Sequence, residues 1–486
     1  MQLLIFVAYF LVVFGIGWYS LQATRDEEDY WIAGGQLGWA VGGATLAATH
    51  TSAGTFIGTI GIIHTVGWSF GWLVLSIPFA YWFVAAVLAP RFTRVRELTL
   101  PAFIGRRYYS KLARAVAAVI VLVATVVFIQ AQVVAGGLVA NIVFGMSTTT
   151  GMVVFTIVLI LYTVVGGMIA VAYTDFLQLV IMFLGAAVSL PLALRHLDGL
   201  GNLLVFAEAM NPVTFTWGGL PGPLLFTMGL AFMLGSVATP EKVIRLYAMK
   251  DMKTIRRGIL FAIAIVTIVN LIVMLLAVGS MVYFPQLPTG DLAMPVIARA
   301  VLPTFIGGLM LAAITSAMMS TVDSLLIVAG SALSEDIYQT LFDPEASHER
   351  RLWVARIGIA VVGVAPLILL LSGVGEGELV QLIVLLFTAL MASSFFMPVV
   401  GGVLWRRATR EGAIASMVGG VAGCALWELY GHPNIDPVVP GFLVSAVLFF
   451  GVSLLTSPPP QEALTPYFGD GDGDDAAVPD VAAGGR

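Results

Sequence analysis

Charge is what this chain has least of. Only 10% of its 486 residues are Asp, Glu, Lys or Arg, where a soluble domain carries about a quarter. With a net charge of −5 and no basic run, nucleic-acid binding is excluded, along with a soluble enzyme and a disordered scaffold. Cysteine is nearly absent too. Cys424 is the sole one, so no intramolecular disulfide forms, and its apolar surroundings make it a small packing residue. The five histidines are scattered, which leaves no metal-binding or nucleophile-base constellation for a membrane-embedded enzyme. The first apolar stretch lacks a basic leading segment and a small-residue cleavage site. It is read as a retained span rather than a signal peptide.

What the chain has instead is apolar length: 59% apolar residues and a mean hydropathy of +0.98. About 20 apolar residues cross a hydrocarbon core roughly 30 Å thick. Thirteen such stretches are read, near 3–21, 38–64, 67–90, 115–144, 148–166, 174–194, 223–247, 257–283, 303–333, 353–373, 378–404, 412–431 and 437–455. Segments of this length satisfy their backbone in lipid as helices, so the expected fold class is an all-α integral membrane protein with about 13 transmembrane helices, multi-pass in the cell membrane. Loops after odd-numbered spans, together with the span ends that flank them, hold 20 of the 23 Lys and Arg, loops after even-numbered spans only Arg195 and Arg299, and Arg486 ends the tail. Cationic loops resist translocation. The odd loops and the C-terminus are therefore expected in the cytoplasm and the N-terminus outside.

Polar groups at membrane depth usually face a cavity, a partner or an ion path. Span two contains AATHTSAGTFIGTIG, residues 47–61, too polar and glycine-rich for a good continuous helix. Two readings stand: local unwinding that frees carbonyls to coordinate a cation, or close helix packing through small residues. His50 within it is a hydrogen-bonded structural residue or a ligand. Span nine contains AAITSAMMSTVDSLL, residues 312–326, in which Ala317, Ser320, Thr321 and Ser324 share one helical face. Asp323 lies close to that face. Oxygen-only ligands suit a hard cation such as Na⁺; a packing-only hydroxyl face is the alternative, and a carboxylate at this depth argues against it. Asp175, at the expected start of span six, either caps the helix or lines an ion exit path. Glu241 and Arg245, four apart on one helical face, are read as an interfacial ion pair ahead of the alternative, a substrate clamp.

Span seven, residues 226–247, is interrupted by Gly229, Gly235, Ser236 and Pro240. Spans two and seven each open a five-span block, and interrupted segments in corresponding positions point to a transporter built from inverted repeats. An odd number of spans per block makes the second start from the opposite side. The expected organisation is 1–36, an extra N-terminal helix and first cytoplasmic loop; 37–194, repeat one; 195–222, an extracellular connection; 223–404, repeat two; and 405–456, two C-terminal helices. Residues 457–486 are read as a disordered acidic cytoplasmic tail with Asp470, Asp472, Asp474, Asp475 and Asp480. Its GDGDGDD run lacks the spacing of a Ca²⁺ loop.

Three segments carry a resemblance: GGMIAVAYTDFLQ (166–178), MSTVDSLL with SEDIY behind it (319–338), and GVLWRRATREGAIASMVGG (402–420). Over roughly residues 3–455 the chain resembles the sodium/solute symporter family, which includes proline, pantothenate and sugar symporters. The resemblance implies a LeuT-type fold with two inverted five-helix repeats, and Na⁺-driven uptake of a small organic solute by alternating access. It implies a sodium site where Ala48, Thr51 and Ala317 offer backbone oxygens and Ser320 and Thr321 their hydroxyls. It puts Asp175 on the ion's cytoplasmic route, and with Asp323 a second cation site between the two carboxylates. Substrate-facing positions carried over are Ser52, Gly54 and Thr55 in span two and Phe232 and Ser236 in span seven. Proline symporters carry an aspartate near position 50, where this chain has His50, and sugar symporters carry polar groups where it has Gly54 and Thr55. The segment PEKVIRLYAMKDMKTIRRG (240–258) is similar to the pantothenate branch, which favours a carboxylate such as pantothenate or a monocarboxylate, with an amino acid as a further option and His50 as a donor to the carboxylate.

Other classes fare worse. A channel needs a filter or charged ring, and a sensor needs a folded cytoplasmic domain. Proton coupling on the same fold is the stronger alternative, because Asp175, Asp323 and His50 titrate.

Overall fold

The computed structural model describes residues 2–21, 27–95, 97–165, 167–210, 212–375, 377–431 and 433–468. Apart from one isolated bridge between Leu37 and Met249, the regular structure among them is helical. Leaving aside the short helices Glu27–Ile32 and Ala293–Ala300, the helices in chain order are α1 (Gln2–Leu21), α2 (Trp39–His50), α3 (Ile60–Val66), α4 (Trp68–Phe92), α5 (Leu100–Arg107), α6 (Lys111–Phe144), α7 (Thr148–Val165), α8 (Met168–Arg195) and α9 (Leu200–Met210). There follow α10 (Gly222–Gly235), α11 (Pro240–Ala248), α12 (Met252–Tyr283), α13 (Thr304–Phe342), α14 (His348–Leu371), α15 (Val380–Leu404), α16 (Arg410–Tyr430), α17 (Val438–Leu455) and α18 (Gln461–Phe468).

Ten helices among the described residues are long and apolar enough to cross a membrane, counting α10 with α11, and eleven if the bent pair α2 and α3 forms one span. The expected spans 3–21 and 148–166 are helices too, with the shorter apolar stretches Leu4–Tyr19 and Thr148–Val164. Burial separates centre from rim. The apolar stretches of α13 and α15 are 83% buried inside the protein, that of α17 28%. A helix apolar or small on every side belongs inside a bundle, and α13, which meets that description from Met310 to Ser331 except at Asp323, is buried continuously over that stretch. Around it and α2 gather α8, α11 and α12, while α16 and α17 pair on the outside.

Close approach is bought with small residues. A Cβ on Gly43 of α2 would lie 2.6 Å from the Gly258 carbonyl of α12, and one on Gly235 would lie 2.3 Å from the Thr388 carbonyl of α15. Backbones that near leave no room for a side chain.

Two expectations are corrected here. Part of the 457–486 tail is ordered: α18 packs on the α5 end of the bundle, with Tyr467 buried and the Arg107 guanidinium 5.8 Å from its ring. Arg107 is itself buried, donating from Nε to the Gly402 carbonyl at 2.5 Å. Residues 469–486, which hold the acidic run, lie outside the described residues. The second correction concerns span six, which starts earlier than expected. Gly167, at φ +102, precedes the first turn of α8 at Met168, so Asp175 stands two turns inside the helix and cannot cap it.

Candidate functional site

Span two breaks where its sequence is most polar. Helix α2 ends at His50, Thr51 leaves helical geometry (φ −79, ψ 89), and a wide turn over Gly54–Thr59 leads into α3, with a bend of 50° between the halves. Helical bonding lapses at the break, and side chains take part of its place. Ser52 Oγ accepts from the Gly54 amide at 3.0 Å, and Gln132 Oε1 of α6 accepts from the Ala53 amide at 3.0 Å. Space at Gly54 is tight: a Cβ would meet Ser52 Oγ and Val384 at 3.1 Å, so both would have to give by a few tenths of an ångström.

Opposite the break stands the hydroxyl face of α13. Ser320 Oγ donates to the Ala48 carbonyl at 3.0 Å and lies 3.2 Å from that of Ala317. Thr321 Oγ1 lies 3.0 Å from the Ala317 carbonyl and 3.2 Å from that of Thr49. Four of the five predicted sodium ligands therefore meet in one place, all buried. Thr51 sits at the break, its amide bonded to Ala47 and its hydroxyl buried without a partner among the described residues. Thr49, absent from the expectation, supplies a carbonyl. Neutral oxygens from two spans suit Na⁺, which would replace the hydroxyl-to-carbonyl bonds.

Next to this cluster is a buried charge network. Asp175 Oδ2 accepts from Thr45 and from Arg245 Nη2, the latter at 3.1 Å, with both charged side chains fully buried. Arg245 also donates from Nε to Thr45 Oγ1 at 2.9 Å, to Ser324 Oγ, and from Nη1 to the Glu241 carbonyl at 2.7 Å. The expected Glu241–Arg245 side-chain pair is thus replaced by an Arg245–Asp175 pair, because the guanidinium turns inward to α8 and α13 and touches only the backbone of Glu241. Ser324 Oγ joins network to cluster, donating to the Ser320 carbonyl at 2.5 Å and lying 3.2 Å from Thr49 Oγ1. Asp323 Oδ1 accepts from the Ser324 amide at 2.8 Å, while Oδ2 is buried without a partner among the described residues. Asp175 and Arg245 are within its coulombic range.

A cavity of about 50 Å³ lies on the other side of the break, and His50, Ser52, Gly54, Thr55, Phe232 and Ser236, the six predicted substrate-facing residues, all line it. Lys242, Glu241, Thr239, Asn270 and Gln381 line it as well. Sequence reasoning missed these; the signal was a Lys and a Glu beside the break of an apolar segment, which marks a site by default.

Residues 30–420 match the profile of the sodium:solute symporter family. The chain belongs to that family. This symporter is 28% identical over 468 residues to the high-affinity proline transporter of Bacillus subtilis, a match covering 94% of this chain and 98% of the relative. It is 29% identical over 476 residues to the sodium/pantothenate symporter of Escherichia coli, with coverage of 94% and 98%. The solved structure of a Na⁺-coupled sialic acid symporter, in a substrate-bound outward-open state, superposes on the symporter with a TM-score of 0.83 and 20% identity over 95% of this chain and 99% of that one. The symporter thus has the LeuT-type fold and is a multi-pass membrane transporter rather than an enzyme, with sodium as its coupling ion.

Proposed function

We propose that this symporter carries a small carboxylate-bearing solute into the cell with Na⁺, by alternating access, with its N-terminus outside and its C-terminus in the cytoplasm. The observation that carries the ion assignment is the meeting of Ser320 and Thr321 with the Ala48 and Thr49 carbonyls at the break of span two. An ion bound there ties α13 to α2 and holds the broken segment in the shape that lines the cavity. Sodium thereby stabilises one conformation, and solute added to it permits the change to the other. One Na⁺ moving through 100 mV supplies about 2.3 kcal/mol, roughly a fiftyfold accumulation before any concentration gradient is added.

Two features support a carboxylate cargo: the likeness to a pantothenate symporter and His50 where proline symporters hold an aspartate; the cavity of about 50 Å³ favours the shorter acids among them. An amino acid is the second cargo, favoured by the proline-transporting relative. The test is uptake into proteoliposomes under an inward Na⁺ gradient, with pantothenate, short monocarboxylates, proline and glucose. Uptake of one solute that is lost in Ser320→Ala/Thr321→Ala supports the reading; unchanged uptake in that variant removes the ion site. Uptake that persists when K⁺ replaces Na⁺ at fixed pH transfers the coupling to protons, with Asp175 and Asp323 as the carriers.

A further inference from the structure

Helix α11 opens with Thr239 in extended geometry (φ −82, ψ 133), followed by Pro240, Glu241 and Lys242. The positive end of a helix dipole favours a carboxylate in the first turn and disfavours an ammonium. Glu241 therefore has a local reason for its place, and Lys242 has none. Lys242 is also 9% exposed, and what remains open faces the solute cavity. Its Nζ lies 5.7 Å over the ring of Tyr81, and it has no ion pair or hydrogen bond among the described residues. Its neighbour Glu241 leaves Oε2 buried and unpartnered rather than reaching it.

Glu241 is within coulombic range of Lys242 but makes no ion pair with it; a buried ammonium lacking a direct ionic partner is costly, and one aromatic face offsets that only in part. A direct ionic partner is readily brought by the solute. His50 stands on the same ring as Lys242, its centroid 5.6 Å from that of Tyr81 in an edge-on arrangement, and it lines the same cavity. Thr239 adds a buried hydroxyl with no partner among the described residues at the mouth of α11. Resting on the symport reading, we propose that Lys242 receives the carboxylate of the transported solute, with His50 beside it, and so determines that the cargo is an acid.

The experiment uses the full-length protein in detergent, with thermal stabilisation as the readout of binding. Na⁺ alone reads the ion site. Propionate, pantothenate and proline, each in Na⁺, read the anion site against propionamide and prolinamide, which keep the shapes of the first and third without the charge. Charge-assisted bonds lost to the amide predict at least tenfold weaker binding. Lys242→Met is expected to bring the acids down to the amides while leaving the Na⁺ response intact, and Lys242→Arg to retain part of the preference. Glu241→Gln separates the two cargo types: it weakens proline alone if a substrate ammonium sits on Glu241, and spares propionate. Equal binding of acid and amide to the wild type, equal loss of both in Lys242→Met, or a Na⁺ response with no carboxylate binding each overturn the proposal while leaving sodium coupling standing. Acid preference without any Na⁺ response overturns the symport reading instead. The acid and amide comparison on the wild type needs no variant, so a Lys242→Met protein that does not fold leaves it decisive.

Discussion

Arg245 of α11 holds Asp175 of α8 across 70 residues of sequence, Nη2 to Oδ2 at 3.1 Å, with neither side chain exposed. The pair joins the first expected repeat to the second beside the ion cluster. Removing one partner of a buried pair strands the other charge, which costs about 3 to 5 kcal/mol. Asp175→Asn and Arg245→Met are each expected to lower stability by that order in thermal unfolding. The double variant should recover more than half of the loss. Additive losses in the double variant would show that the two residues act separately.

The ion cluster gives a second expectation. Ser320→Ala deletes an oxygen that lies 3.0 Å from the Ala48 carbonyl, and the apparent affinity for Na⁺ in transport should fall at least tenfold, or about 1.4 kcal/mol. Thr321→Ser keeps the hydroxyl and should keep the affinity. Solute affinity measured at saturating Na⁺ should change little in either, and an equal loss of both would mean that the hydroxyls only pack.

Much of this was legible in the sequence because the apolar period dominates a membrane chain: each expected span overlies a helix, and the polar interruption at 47–61 is where α2 ends. The hydroxyl face of α13 follows from helical spacing alone. Tertiary choices were not legible. The i, i+4 rule paired Arg245 with Glu241, yet the guanidinium found a deeper carboxylate on another helix. Asp175 looked terminal because GGMIAVAY reads as a loop until Gly167, at φ +102, is seen to start the helix there. Lys242 was hidden at a span end, where cations ordinarily face water. Neither α18 nor its aromatic contact with Arg107 has a signature in the Pro-rich stretch that precedes it.

Asp251 precedes α12 and accepts from the Thr254 amide at 2.7 Å. That bond, more than the charge of Lys250, holds its carboxyl below the ordinary value of 3.8. A carboxyl depressed in the folded state contributes stability above its unfolded value, and the contribution is lost as pH falls through the folded one. Asp251→Ala should therefore cost about 1 kcal/mol at neutral pH, with the gap to the wild type closing in the acid range below 3.8. Asp251→Asn keeps the cap and should show a smaller loss at neutral pH. Unfolding curves in detergent across that pH range check the sign.

Asp323 raises a question of charge. With Asp175 it places two carboxylates near one guanidinium, a balance of −1 in a region without water-exposed side chains. An unpaired buried charge is not sustained, so Asp323 holds either a proton or a cation, and its unpartnered Oδ2 is open to both. Asp323→Asn mimics the protonated form. If a second Na⁺ binds there, the variant should reduce the Hill coefficient for Na⁺ from near two to one and cut the voltage-driven accumulation to the square root of its value, since each ion contributes about 2.3 kcal/mol per 100 mV. If Asp323 carries a proton throughout, Asp323→Asn should transport with unchanged sodium cooperativity. Uptake measured against Na⁺ concentration at pH 6 and pH 8 in both proteins separates these outcomes, because only a site that exchanges Na⁺ for a proton gives a wild-type sodium affinity that weakens at the lower pH.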